Sequence, residues 1–505
     1  MGSVSLPSEI KCRPHYIRTM LALCSQFQIE RRMLLRWLGI IVIAKIFWLS
    51  IFIAFKSREW SEHSVGNLAL QPNESFGYYR PLEMLISEGH YQGMCHMPGL
   101  LPFYLPLRAF LTDTAAMQAM IFVQVAFDIF ATLCLGILAA RIFQTLRALH
   151  ITYLLACIST FTAVRNNYLL SDSLCISITL LSVFAFSNYL LYQKNKDILL
   201  TGIGMCVAVF LRPAMLAVLP GFGVLLLLSR GLHASSIRAT LLLFVPTIMA
   251  IGGWTLRNQI TYDRTVVLLA PLGECQPQIT PDFAAIRGWI LASGGDYQPW
   301  AIGGESHWFF DSPRELPAPF DANDFTTEYD ISTLLLLKED YHRLHSGALS
   351  EIDAIALEQS IVERSNRIRQ SYITNYPIRY YLLNRIKFAG MILFPRRIDD
   401  LPFPSLSEMT LGQKIIKAAS FAAIPLLSLL SVWMCIVWLV QRKWVYLLWM
   451  CLPMGLVVMH SAIGFVEQRY LASSYPFFLM LAGGYLAPVA ASIQSRFNRP
   501  AKPLA

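Results

Sequence analysis

Long, nearly charge-free apolar blocks run through this chain from residue 37 to residue 489, separated by short basic connections and two longer polar stretches. A block of about twenty apolar residues crosses the ~30 Å hydrocarbon core of a bilayer as a helix. Lipid offers the backbone no hydrogen bonds, so a crossing segment must be a helix or a strand of a closed barrel. Barrel strands alternate apolar and polar residues, and these blocks do not. Only 14% of the 505 residues are charged and 55% are hydrophobic, whereas soluble domains average about a quarter charged. The expected fold class is an all-α polytopic membrane protein.

The first block ends at Phe55, is too long for a signal-peptide core and has no small-x-small cleavage site after it, so it reads as a retained anchor. Nine further runs follow at about 115–140, 149–165, 169–191, 198–211, 214–229, 239–255, 415–440, 444–461 and 470–489. The connections 141–148, 192–197, 230–238 and 441–443 are short and basic, and the tails carry Arg31, Arg32, Arg36, Arg496, Arg499 and Lys502. With about ten spans, all of these fall on one side, which the positive-inside rule makes cytoplasmic together with both termini. The net charge of +9 is thereby explained without nucleic acid, which is excluded as a partner. Runs 198–211 and 214–229 are short and flank Arg212-Pro213; they read either as two crossings or as tilted or broken helices. Ten cysteines form no CxxC pair, and most lie in apolar runs. Cys95 and Cys275 should face the outer side, where an oxidising space would let them pair if they meet.

This topology divides the chain into a basic tail (1–36), a transmembrane module (37–255) with a first outer loop at 56–114, a large outer segment (256–414), three last spans (415–489) and a second tail (490–505). The first half of the large segment, with Trp289, Trp300, Trp308 and paired glycines, suggests an irregular, sugar-contacting or lid-like loop. Its second half should be helical from Ser350, with Ile352, Ile355, Val362, Ile368 and Tyr372 on one face. Tyr380–Phe394 mixes Arg385 and Lys387 with apolar residues and reads as an amphipathic helix at the interface. Two similar halves, the usual transporter cue, are not evident.

Charges at membrane depth mark function by default, and four outer-face positions stand out. Asn73-Glu74-Ser75 reads either as a turn and cap for a helix over Tyr79–Ser87 or as a general base, a partly desolvated carboxylate with raised proton affinity. Asp172, in Leu170-Ser171-Asp172-Ser173, is either an N-cap or a second carboxylate that holds acceptor or metal. Arg469, in Val466-Glu467-Gln468-Arg469-Tyr470, either pairs locally with Glu467 or grips a phosphate with its planar fork. Arg212 either snorkels to head groups or also meets the phosphate. Tyr78 and Tyr79, beside Glu74, and His96 are candidate substrate contacts; so are Arg257-Asn258 and Glu467 with Tyr470. Lys45 is a further candidate charge. There is no P-loop, Rossmann fingerprint, GxSxG or HExxH.

The order of these motifs resembles the GT-C fold glycosyltransferases. The similar branch contains the protein O-mannosyltransferases and the bacterial lipid A aminoarabinose transferase. The resemblance rests on an acidic residue in the first outer loop followed by EGHYQ and HMPGLLPFYLP, then LLSDSL, LRPAMLAVLP, WTLRNQITYDRTVVL, NYPIRYYLLNRI and EQRYLASSYPFFLMLAGGY, spread from Leu38 to Tyr485. It implies a GT-C helical bundle in a bacterial inner membrane and a sugar donor on a polyprenyl phosphate. An acceptor would arrive at the outer face, and transfer would be an inverting single displacement. Glu74 matches the base, Asp172 the second acidic position and Arg469 the late basic position near the lipid phosphate; the chain departs from the family in carrying Glu where Asp is usual. Some relatives use a divalent cation and others do not, and this sequence has no metal signature, so a divalent cation is allowed but not required and the cofactor stays open. Two other classes fit a polytopic chain with a long outer loop: a lipid-linked polysaccharide polymerase or ligase, and a flippase or transporter for such lipids.

Overall fold

The computed structural model describes residues 29–72, 74–231, 233–270, 280–295, 304–311, 319–320, 325–394, 401–464 and 467–497. In chain order, α1 (Arg31–Phe55) and the short α2 (Arg58–Glu62) lead to a two-stranded antiparallel ribbon, β1 (Ser64–Val65) and β2 (Ala69–Leu70). Then come α3 (Ser75–Glu88), α4 (Leu101–Arg108), α5 (Asp113–Phe143), α6 (Leu146–Ile158), α7 (Thr160–Ala163), α8 (Asp172–Tyr192), α9 (Asn195–Leu211), α10 (Leu219–Arg230) and α11 (Ala234–Tyr262). The remainder forms α12 (Pro281–Ser293), α13 (Glu305–Phe310), α14 (Ile331–Leu344), α15 (Glu351–Asn375), α16 (Asn384–Leu393), α17 (Leu411–Val440), α18 (Trp444–Ile463) and α19 (Tyr475–Phe497).

Among the described residues, α1, α5, α8, Pro213–Arg230, α11, α17 and Tyr475–Gln494 are long and apolar enough to cross a membrane, and a bent pair at 146–167 would make an eighth span. The chain is an all-α, multi-pass membrane protein. α9 has 17 residues, about 26 Å at 1.5 Å per residue. Pro453–Ile463, in α18, is a shorter apolar helix.

The expected straight run 149–165 is instead broken. Ser159 leaves the helical region (φ −70°, ψ 112°), and α6 meets the following piece at 57°. The turn Arg165-Asn166-Asn167, expected at the outer surface, is buried because its polar groups are spent inside the bundle. Asn166 donates to Asp128 Oδ2 at 2.7 Å, and Gln124 donates to the carbonyls of Asn166 and Tyr168.

Asp128 in turn holds Lys45 from α1 at 2.7 Å, with the lysine side chain 1% exposed. Two ions taken out of water cost several kcal/mol each unless their hydrogen-bonding capacity is filled. Here Asn166 and Thr132 also bind the carboxylate, so the pair pins α1, α5 and the 165–167 turn together. The C-terminal end of α1 is closed by a second tie, since Gln413, the capping-box residue of α17, donates to the Phe55 carbonyl at 2.8 Å.

The chain divides into two compact units, Met1–Leu269 with Arg397–Leu456 and Leu471–Ala505, and Ala270–Arg396 with Val457–Tyr470. The second unit corrects the reading of 256–414. Among the described residues its first half forms two helices, with Trp289 and Trp308 buried beside Ile286, Phe309, Leu334 and Ile361 in a core of their own; Trp300 lies outside the described residues. Ser350 caps α15 as expected, accepting from the Asp353 amide. The buried face is Ile361, Ile368 and Tyr372, however, while Ile352 and Ile355 are exposed because they lie in the first turns, ahead of the packed part of the helix. The stretch expected as one amphipathic helix is a π-helical turn, Arg379–Leu383, running into α16.

If Lys45–Asp128 holds the bundle, removing one ion should cost more than removing both. Lys45→Met should destabilise the protein by about 3–5 kcal/mol, and adding Asp128→Asn should restore most of that. Thermal unfolding of the purified variants in detergent checks the difference; equal or additive losses would overturn it.

Candidate active site

In the first unit the site is built around the loop that joins the ribbon to α4. Leu169 donates its amide to the Leu70 carbonyl at 2.9 Å, and Leu70 bridges Tyr168. The loop containing Glu74 and the segment leading into α8 are therefore stitched together. Glu74 sits at the N-cap of α3, but its side chain makes no capping hydrogen bond, so the capping role read from the sequence is not the one it plays. It is exposed rather than partly desolvated. Asn73 lies outside the described residues.

One turn into α3, Tyr78 packs against His96, with ring centroids 4.2 Å apart. Burial holds the His96 imidazole below its ordinary value of 6.5, and the Glu74 carboxylate opposes that shift. The carboxylate, the phenol and a neutral imidazole thus form one group. Gly77 makes the approach feasible, because a Cβ there would lie 2.5 Å from His96 Cε1. Tyr79 does not join them. It is 1% exposed and packs edge-on against Tyr104, because the next position on a helix points about 100° away, here into the core.

The 91–100 stretch is held at both ends. Tyr91 donates to the His96 carbonyl at 2.9 Å. Arg257 donates to the carbonyls of Tyr91 and Gly93, the latter at 3.0 Å, and packs over Trp254 and Tyr262. Asn258, expected to touch substrate, is buried; it bridges Arg257 and the Val266 carbonyl. Its work is to set the arginine. At the other end Gly99 lies directly on the backbone of Phe210 and Leu211, where a Cβ would come within 2.3 Å of the Leu211 nitrogen. Tyr91, Pro98, Leu101, Phe210 and Trp254 line a mostly apolar groove of about 250 Å³ with Arg257 among its walls.

Arg212 follows immediately on Leu211. It forms an ion pair with Asp172, the first residue of α8, whose side chain is 3% exposed. Asp172 Oδ2 is buried without a hydrogen-bond partner. The sequence reading kept these two apart, one as a carboxylate for acceptor or metal and the other for phosphate; the structure joins them. Ser173 donates to Asn166 Oδ1, linking this pair's helix to Asp128 and Lys45. Among the described residues no group of three or more His, Cys, Asp or Glu side chains is placed to hold a metal ion.

The second unit contains the late motif. Glu467 and Arg469 form an ion pair, Tyr470 stacks on His460 at 4.2 Å and 15°, and the Arg469 guanidinium lies 5.5 Å from the Tyr470 ring centre. Arg385 donates to the Ser461 carbonyl beside them. Cys95 is disulfide-bonded; Cys275, the candidate partner, lies outside the described residues. Sequence reasoning missed Asp128, His460 and Arg385. Asp128 carried a usable signal, a lone carboxylate within the apolar run 115–140; His460 and Arg385 acquire partners only through the fold.

No family model matches the chain, and no curated protein or solved structure shows significant similarity to it.

Two outcomes follow from the Glu74–Tyr78–His96 group. Gly77→Ala should fold as well as the parent or better, since alanine gains about 0.5–1 kcal/mol in a helix interior, yet expel the imidazole. A thermal scan alongside histidine NMR would show an unchanged or higher Tm with an altered His96 signal; an unaltered signal would count against the contact. His96 gives up its proton more readily folded than unfolded, so its contribution to stability is complete above pH 6.5 and is lost as the pH falls through its folded value. Glu74→Gln removes the charge that opposes burial and should move the His96 titration further down, and an upward shift in the same NMR titration would contradict the pairing.

Proposed function

We propose that this chain is a glycosyltransferase of GT-C type that moves a sugar from a polyprenyl-phosphate donor to an acceptor at the outer face of a bacterial inner membrane. The acceptor hydroxyl oxygen attacks the anomeric carbon while the bond to the lipid phosphate oxygen breaks and takes its electron pair, inverting the centre. The hydroxyl proton passes to Glu74. The helix-rich chain accommodates about ten crossings with both termini cytoplasmic if α9, α18 and the bent pair are counted as spans.

The observation that carries this reading is an exposed carboxylate with no capping hydrogen bond, close enough to influence a half-buried imidazole that packs on a tyrosine. It stands in the same outer loop whose far end walls an apolar groove with an arginine in it. An apolar groove with a cation suits a prenyl chain ending in phosphate, and a phosphate leaving group needs cationic stabilisation more than it needs an acid. Asp172 fixes the guanidinium of Arg212, and this makes Asp172 a positioning residue rather than a second base. Arg469, paired with Glu467, is the remaining candidate for the donor phosphate. Tyr78 and His96 suit contact with the acceptor. Nothing in the chemistry requires a divalent cation.

The test uses membranes given a radiolabelled polyprenyl-phosphate sugar. Glu74→Gln should lower transfer by about 10²–10⁴-fold, the usual weight of a general base, and Arg469→Ala by about tenfold or more through loss of a charge-assisted contact. Full transfer by Glu74→Gln would sink the base assignment. Movement of the lipid across the bilayer with no new glycosidic product would instead favour a flippase.

A further inference from the structure

The second unit has a cavity that the transfer reaction does not use. It measures about 320 Å³, within the size range of small-ligand sites. Ser293, Glu305, Arg379, Leu383, Asn384 and Lys387 line it, so among the described residues two cations face one carboxylate. Its walls are built rather than incidental. Gly294 closes α12 in the left-handed region at φ 89°, and a Cβ there would strike the Asn384 amide. Asn384 donates to the Ala292 carbonyl at 2.7 Å. Lys387 donates to the Gly294 carbonyl at 2.6 Å, an anchor that uses one of its three donors. Arg379 and Leu383 come from the π-helical turn, a geometry that recurs at functional positions.

The outer surface of the same turn is apolar. Ile378, Tyr381, Leu382 and Ile386 are each more than half exposed, and Leu383, which is also exposed, belongs to the cavity wall as well. A net-cationic polar cavity that opens beside an exposed aliphatic ridge has the shape and charge of an amphiphile with an anionic head.

We propose that this cavity binds the phosphate head group of a lipid, with Arg379 and Lys387 on the phosphate and the lipid chain along Ile378, Leu382 and Ile386. The occupant is either a prenyl phosphate or a phospholipid of the bilayer, which share this chemistry. The site does not depend on the transfer reaction, because all its residues are distinct from Glu74, His96 and Arg257.

The experiment uses the full chain in phosphatidylcholine nanodiscs, with a photoactivatable short-chain prenyl phosphate and cross-link mapping by mass spectrometry. Dihexanoyl phosphatidylglycerol, the uncharged prenyl alcohol and inorganic phosphate serve as competitors. Besides any at the donor groove, cross-links should appear within 378–387, and both lipid phosphates should compete for these at least about tenfold better than the alcohol or inorganic phosphate. The better of the two lipids then identifies the source. Arg379→Gln should weaken labelling about tenfold, Arg379→Lys should recover part of it, and Ile386→Ser, on the exposed ridge, should weaken it with the fold intact. Arg257→Gln and Glu74→Gln should leave it unchanged even where they abolish transfer, so failure of the catalytic reading and failure of this site are separable. Absence of labelling within 378–387, or competition for that labelling by the alcohol or by inorganic phosphate as strong as by the lipids, would overturn the proposal.

Discussion

The buried pairing of Lys45 with Asp128 is the interaction on which the candidate-site end of the first unit depends. A lysine and an aspartate inside apolar helices are tolerable only if each satisfies the other and the remaining oxygen lone pairs are filled. The chain meets that demand with Asn166, and the geometry of Asn166 then propagates. It requires the break at Ser159 so that the backbone can turn inwards, it engages Ser173 in the first turn of α8, and Gln124 anchors the carbonyls on either side of the turn. The next residues, Tyr168 and Leu169, bind β2, which leads directly into the Glu74 loop. The position of an exposed carboxylate is thus set by an ion pair deep among the helices.

What the sequence made legible is what lipid imposes locally. Helix rather than strand, the positions of the apolar runs and the capping of α15 by Ser350 all follow from rules that act within a few residues. What it hid depends on partners far apart in the chain. Asp172 and Arg212 each looked like a separate outer-face charge, and nothing within either motif announces a bond across forty residues of chain. Tyr78 and Tyr79 are identical in type, yet the helix sends one to His96 and the other into the core. The large outer segment was misjudged for a related reason. Tryptophan, glycine and proline together have the composition of a loop, but composition does not say that Trp289 and Trp308 both pack on Phe320, and aromatic side chains dominate core energetics where they are buried.

The arginines illustrate how a membrane enzyme of this kind would keep cations at hand without free charges. Asp172 holds Arg212, Glu467 holds Arg469, and backbone carbonyls with flanking rings hold Arg257. A guanidinium has five donors in a rigid fork, so its partners fix the direction in which it points. Pre-orientation of that sort is more useful than raw charge, because a flexible cation would have to be ordered each time a donor arrived.

Under the proposed transfer, the Glu74–His96 pair would also bear on how late the proton moves. Any carboxylate is far too weak a base to strip a sugar hydroxyl before attack, so a mechanism that relied on forming the alkoxide first would be poorly served here. A phosphate leaving group changes the order of events. If the bond to the phosphate is largely broken before the new bond forms, the hydroxyl becomes strongly acidic only as it bonds to the anomeric carbon, and a modest acceptor then suffices. Burial favours the neutral form of the neighbouring imidazole, so the proton's proposed destination is the carboxylate. On this view the extra methylene of Glu74 relative to aspartate matters little for basicity and a great deal for reach.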